Sequence, residues 1–282
     1  MVTTNQKLAD KLRMNSDVDP KLWVIPNYIA DAYPDQTIQS KDKVTIGFFG
    51  GASHYNDLHK SNVLPALQKL MHEHKNVYFK SCGQPIDDYL PRKRIELVET
   101  AQGSEWAEKR LPSMKLDIAI APLLMTEFNQ YKSNIKWQEA TRVGAAFVGT
   151  NTGPYADIPD GTALLTNNTT ESWYDALKTL LDAAVRKKQV RAAKKELEGW
   201  KLENHWQEYK ELLEVACERL KYWVFNWIKR WNRTRFCELF SYMAGGLKMS
   251  GEDFRKAMSS IGYGIAWAGF WIGFGLFNFQ VS

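Results

Sequence analysis

From Lys43 to about Val185, short apolar runs alternate with segments of helical spacing. "VTIGFFG" (44–50) is rich in β-formers and closes on glycines, and "SNVLPALQKLMHEH" (61–74) repeats its apolar residues at helical intervals. "VYFKSCG" (77–83) and "RIELVE" (94–99) read as strands, "EWAEKRL" (105–111) as a short helix, and "LDIAIAPL" (116–123) as a buried strand. A helix opened by Ser133 follows, then the strand "AAFVG" (145–149) and the short "TALLT" (162–166). "TESWYDALKTLLDAA" (170–184) is an amphipathic helix with Thr170 as N-cap and Trp173 on its apolar side. Strands alternating with helices predict an α/β domain, a single Rossmann-like parallel sheet covered on both faces. From Arg186 to about Glu218 the chain reads as helix with a break near Gly199.

The pattern then changes. "ERLKYWVFNWIKRWNRTRF" sets Trp223, Trp227 and Trp231 four residues apart, one stripe of a helix, with six cations around it. "IGYGIAWAGFWIGFGLFNF" (261–279) carries no charge and as a helix would be about 28 Å long, near the thickness of a bilayer. This predicts a helical, aromatic-rich C-terminal tail, residues 216–282, behind a domain of residues 1–215. Charge sharpens the division. Residues 1–215 hold 28 Lys+Arg and 28 Asp+Glu, whereas 216–282 hold 9 and 4, so the whole formal net charge of +5 lies in the tail. A neutral body with a basic tryptophan-rich tail argues against nucleic acid and for an anionic membrane surface, met by a peripheral or tail-anchored protein on the cytosolic face. The alternative is a Trp-rich helix packed on protein. Three widely spaced cysteines, Cys82, Cys217 and Cys237, form neither a metal pattern nor a disulfide framework, which fits a reducing cytoplasm.

Candidate chemistry gathers in "YKSNIKWQEATRVGAAFVGTNTGPY" (131–155). In an open parallel sheet, ligands collect beyond the carboxyl ends of the strands, where "LDIAIAPL" delivers residues 123–134. A helix capped by Ser133 or Asn134 offers unpaired N–H groups and a partial positive charge to a phosphate. Lys132 and Lys136 add charge-assisted hydrogen bonds, and Glu139 can accept from sugar hydroxyls. The plainer alternative is an ordinary N-cap and an ordinary Lys136/Glu139 surface pair.

Several stretches, in order over about residues 3–210, resemble the C-terminal, donor-binding half of GT-B glycosyltransferases, in particular the retaining family 4 type (glycosyl transferases group 1). "LWVIPNYIADAYP" (22–34) is similar to the segment that enters that half, "IGFFGGASHYNDL" (46–58) to its first strand and glycine turn, and "LDIAIAPL" with the 131–155 stretch to its "KSnIKwlE" helix. The resemblance implies a nucleoside-diphosphate sugar as substrate, transfer of the glycosyl group to a hydroxyl acceptor, and no metal. It implies that Gly50, Gly51, Lys132, Ser133, Asn134 and Lys136 hold the diphosphate and that Glu139 holds the ribose. Gly153 and Tyr155 would line the sugar side, and His54 and Asp57 match a variant of the motif without an assigned role. Many relatives carry a second glutamate eight residues before the ribose glutamate; Tyr131 stands there, Glu127 is four residues too early, and no catalytic residue is assigned. The acceptor-side domain of that architecture is expected on another chain, in a longer chain of which this sequence is a fragment, or to be absent. The other reading is a catalytically inactive, membrane-bound interaction subunit. A flavodoxin-like or response-regulator domain would not account for the "KSNIK" helix start.

Overall fold

The computed structural model describes residues 1–16, 22–29, 42–86, 90–103 and 105–217. The tryptophan stripe and the 261–279 segment lie outside the described residues. Residues 1–202 form one compact unit, and the described residues 203–217 belong to a second.

The first unit opens with β1 (Val2–Thr3), α1 (Gln6–Met14) and β2 (Trp23–Val24), the two strands pairing in parallel. The main sheet is built from β3 (Val44–Phe49), β4 (Val77–Cys82), β5 (Ile95–Val98), β6 (Ile118–Ala121), β7 (Ala146–Thr150) and β8 (Leu164–Thr166). Its order is β5-β4-β3-β6-β7-β8, parallel throughout. The chain runs outward from β3 to one edge and returns on the other side of β3, so the topological switch falls between β3 and β6. All six residues of β3 are buried, as both faces of the central strands are covered.

The helices are α2 (Tyr55–Lys60), α3 (Val63–Glu73), α4 (Leu111–Ser113), α5 (Glu127–Gln130), α6 (Ile135–Arg142), α7 (Thr170–Thr179) and α8 (Ala183–Leu197). One core layer packs Leu64, Leu67 and Leu70 of α3 and Trp173 and Leu177 of α7 on Ile46, Phe48 and Phe79. The opposite layer packs Trp137 and Ala140 of α6, Ala193 and Leu197 of α8, and Leu111 on Phe49, Ala119 and Phe147. The expected single-sheet α/β architecture is the one observed.

Local details differ from the sequence expectation. Thr169, in extended backbone, caps α7 by accepting from Ser172 N–H at 3.1 Å, so Thr170 is the first helical residue. The 170–184 helix is two, because Asp182 accepts from Ala184 N–H at 2.7 Å and starts α8. "EWAEKRL" begins as a π-helical turn, Glu105–Arg110, and becomes α-helical at Leu111. The break near Gly199 is a 3-10 turn, Glu198–Trp200, and residues 206–217 are helical again. Among the described residues no helix is long and apolar enough to cross a membrane.

Candidate functional site

The carboxyl end of β3 runs into Gly50–Gly51. Gln84, itself buried, donates its amide to the carbonyls of both glycines, at 3.2 and 2.5 Å. Gly83 sits beneath the turn with φ of +84°, and a Cβ there would lie 2.5 Å from Gly50 O, so a side chain at 83 would push the turn away. Gly51 is exposed and in extended backbone, with nothing within 4 Å of where a Cβ would stand. The sequence pointed to the glycine pair but not to Gln84, a distant side chain that sets its shape.

Helix α6 enters the same edge. Trp137 and Ala140 anchor one face of it in the core, and the neighbouring face presents Lys136 and Glu139, one turn apart, to a cavity of about 450 Å³. Phe49, Gly50, Gly51, Cys82 and Trp106 share that lining. The Lys136 ammonium donates to Phe49 O at the end of β3. Burial of this ammonium, with the like charge of Lys132, pushes its pKa down to about 8 against the attraction of Glu139 and Asp57. Glu139 is 7% exposed and accepts from the Trp106 indole N–H at 2.8 Å.

The N-cap of α6 is Asn134, which makes no side-chain capping bond; its Oδ1 accepts from Gln138 Nε2 at 2.9 Å. Ser133 does not cap. Its hydroxyl accepts from Asn27 Nδ2 at 2.7 Å, and Gln138 Nε2 returns a bond to Asn27 O at 2.7 Å. Asn5 Nδ2 donates to Tyr131 O at 2.8 Å. Thus the N-terminal segment and the "VIPN" stretch pin the start of α6 from outside the sheet. These ties span more than a hundred residues of sequence, so no local pattern announces them.

Lys132 turns toward the glycine turn and meets a buried acid. Its ammonium lies 3.2 Å from Asp57 Oδ2 and 3.4 Å from His54 Nδ1, and His54 Nδ1 lies 3.1 Å from Asp57 Oδ2. The other oxygen of Asp57 accepts from Leu124 N–H at 2.9 Å and Asn129 Nδ2 at 2.8 Å. Burial alone would raise the pKa of Asp57. The bonds from His54, Leu124 and Asn129 and the charge of Lys132 outweigh it and hold the carboxyl well below its usual range. Burial and the two lysines lower the His54 pKa despite its bond to Asp57. Asp57 therefore lies inside α2 and ties that helix to the β6–α6 connection.

Gly153 and Tyr155 follow β7. Gly153 has φ of +55° and packs where a Cβ would meet Asn129 O at 2.5 Å; Tyr155 is buried edge-on against Phe147, ring centroids 5.2 Å apart. Neither is among the residues that line this cavity: Gly153 packs against the end of α5, and Tyr155 lies in the core layer with Phe147. Glu127 is exposed and paired with Lys11 at 2.6 Å, and the Tyr131 hydroxyl lies 3.4 Å from it.

Solved structures share this architecture at low sequence identity. The pneumococcal O-GlcNAc transferase GtfA, solved with UDP and GlcNAc, aligns with a TM-score of 0.59 at 13% identity over 77% of this chain and 45% of its own. Anabaena Alr3699/HepE, solved with UDP and glucose, gives 0.57 at 12% over 76% and 62%. An S. aureus TarM mutant, solved in complex with fondaparinux, α-GlcNAc-glycerol and UDP, gives 0.56 at 11% over 75% and 43%. The fold is that of the GT-B glycosyltransferases. The chain spans less than half the length of GtfA and TarM. No protein-family model matches the sequence, and no curated protein matches it.

Proposed function

We propose that the chain is the donor-binding half of a glycosyltransferase, taking a nucleoside-diphosphate sugar whose glycosyl group passes to a hydroxyl acceptor. The observation that carries this is the cavity at the carboxyl edge of the sheet. There the open Gly50–Gly51 turn, the Lys136 ammonium and the Glu139 carboxylate border one space, on a GT-B fold. The division of labour follows from charge. The N-terminus of α6, Lys136 and the Gly50–Gly51 backbone accept the diphosphate, with Lys132, Ser133 and Asn134 behind them. Glu139 accepts from the ribose hydroxyls. When the bond from the anomeric carbon to the diphosphate breaks, negative charge grows on the departing phosphate, and a fixed ammonium beside it stabilises that charge. His54 and Asp57 hold Lys132 in place rather than acting on the sugar. Groups that orient the acceptor belong to a second Rossmann domain, which the residues of this cavity do not supply. The tail, residues 216–282, holds the protein on an anionic membrane surface at the cytosolic face.

UDP, the nucleotide with which GtfA and HepE were solved, is the first probe. It should raise the melting temperature of the full chain, and Lys136→Ala with Glu139→Ala should abolish the rise. No shift with UDP or GDP would leave the second reading, an inactive membrane-bound interaction subunit. That reading is favoured by Tyr131, which stands where many relatives carry a glutamate.

A further inference from the structure

The π-helical turn at Glu105–Arg110 puts a side chain into the site that the family motifs do not include. A π-turn holds an extra residue relative to an α-turn, and each residue added to a helix rotates the succeeding side chains by about 100°. Here the turn sets Trp106 over the cavity, with its ring against Phe49 at 5.5 Å between centroids and its indole N–H on Glu139 Oε1 at 2.8 Å. Phe49 in turn carries the Lys136 ammonium on its carbonyl. Trp106, Phe49, Lys136 and Glu139 thus form one connected wall, and all four border the cavity.

We propose that Trp106 is a positioning residue that fixes the Glu139 carboxylate for recognition of ribose hydroxyls, and that it sets the discrimination between ribo- and deoxyribonucleotides. The inference rests on the donor-binding reading above. A glutamate one turn inside a helix has three rotatable bonds, and one charge-assisted hydrogen bond to a rigid ring selects among its rotamers before the ligand arrives. An indole is suited to this because its N–H donates and cannot accept, so it holds a carboxylate without competing for hydroxyl protons. A carboxylate oxygen with two lone pairs can accept from the indole and still accept from a sugar. Phe49 against one side of the ring and the π-turn behind it resist the swing that would release Glu139.

The test is calorimetric titration of the full chain with UDP and with 2′,3′-dideoxyuridine 5′-diphosphate, which keeps the base and diphosphate and removes both hydroxyls. The wild type should prefer UDP by about tenfold or more, the scale of one or two hydrogen bonds to a charged group. Trp106→Phe keeps a ring against Phe49 and removes the donor. It should lower the preference to about threefold or less while leaving the dideoxy affinity within about twofold, a pattern that a merely structural wall would not produce. Glu139→Gln should collapse the preference likewise, and the double variant should lose no more than either single one. An unchanged preference in Trp106→Phe, or equal losses for both nucleotides, would overturn the proposal. Absence of UDP binding by the wild type overturns the donor-binding reading and this inference with it; UDP binding with an unchanged preference overturns the inference alone. If Trp106→Phe fails to fold, the wild-type indole N–H resonance that shifts in Glu139→Gln decides. It should move with UDP and stay with the dideoxy nucleotide, and equal movement with both refutes the assignment.

Discussion

Lys136 makes a prediction in which ligand affinity and stability run in opposite directions with pH. Its pKa in the folded, ligand-free protein is about 8, lowered by burial. Between pH 7 and pH 9 the side chain passes from about nine-tenths to about one-tenth protonated. A diphosphate that binds the ammonium form alone should lose about tenfold in affinity over that interval, or about 1.4 kcal/mol. Stability behaves otherwise. The folded pKa lies below the unfolded value of 10.5, so from about 8 to 10.5 the unfolded chain holds more proton. Unfolding free energy therefore rises with pH across that window, by at most about 3 kcal/mol. Calorimetric titration with UDP at pH 7, 8 and 9, beside urea unfolding at the same values, reads both. Glu139, Lys132, Asp57 and Cys82 also bear on Lys136, and the uracil ring has its own titration, so Lys136→Arg supplies the baseline. Arginine stays charged throughout, and its UDP affinity should vary less than threefold from pH 7 to 9, on the order of what the remaining groups contribute. A wild-type affinity as flat as that of the arginine variant would refute the assignment of Lys136 as the diphosphate's cation.

Other substitutions separate the architecture of the site from its ligand contacts. Asp57→Asn places an amide where Lys132, Leu124 N–H and Asn129 all donate, and should cost about 3 kcal/mol, the scale of breaking a buried ion pair. Differential scanning calorimetry should then show a melting temperature lower by about 6–12 °C. The depressed Asp57 pKa gives stability that is complete above the ordinary carboxylate range and lost as pH falls through its folded value, so acid unfolding should be shallower in Asp57→Asn. Gly51→Ala should leave the melting temperature within about 1 °C, because nothing stands near the added methyl group, yet weaken UDP about tenfold by filling space the diphosphate would occupy against the turn. Asn27→Ala removes the partner of Ser133 and should cost about 1 kcal/mol by urea unfolding, with a further loss of UDP affinity. Deleting residues 216–282 should move the protein from the membrane pellet to the supernatant, and equal partition of both forms would remove the tail from the membrane account.

Much of the fold is legible in the residue pattern alone. Apolar runs such as "VTIGFF" and "DIAIA", too uniform to leave one face wet, predict a sheet buried on both sides, and the helices between them require parallel strands. The glycine turn after β3 and the Lys136/Glu139 pair on one face of α6 follow from strand order and from the 3.6-residue period, both local properties. What the residue pattern leaves open is decided by distant partners. Ser133 has the chemistry of an N-cap, but its hydroxyl is taken by Asn27, more than a hundred residues away, and Asn134 becomes the cap. Lys132 looks like a free cation until tertiary packing brings buried Asp57 to it. Trp106 reads as one more aromatic in a short helix, and only a π-turn packed against β3 and α6 turns its indole N–H onto Glu139. Backbone periodicity is written in neighbouring residues, so the sequence determined the elements and their order. Which polar atom receives which hydrogen bond depends on groups that meet only once the sheet has closed, so the tertiary structure alone decided how this site is wired.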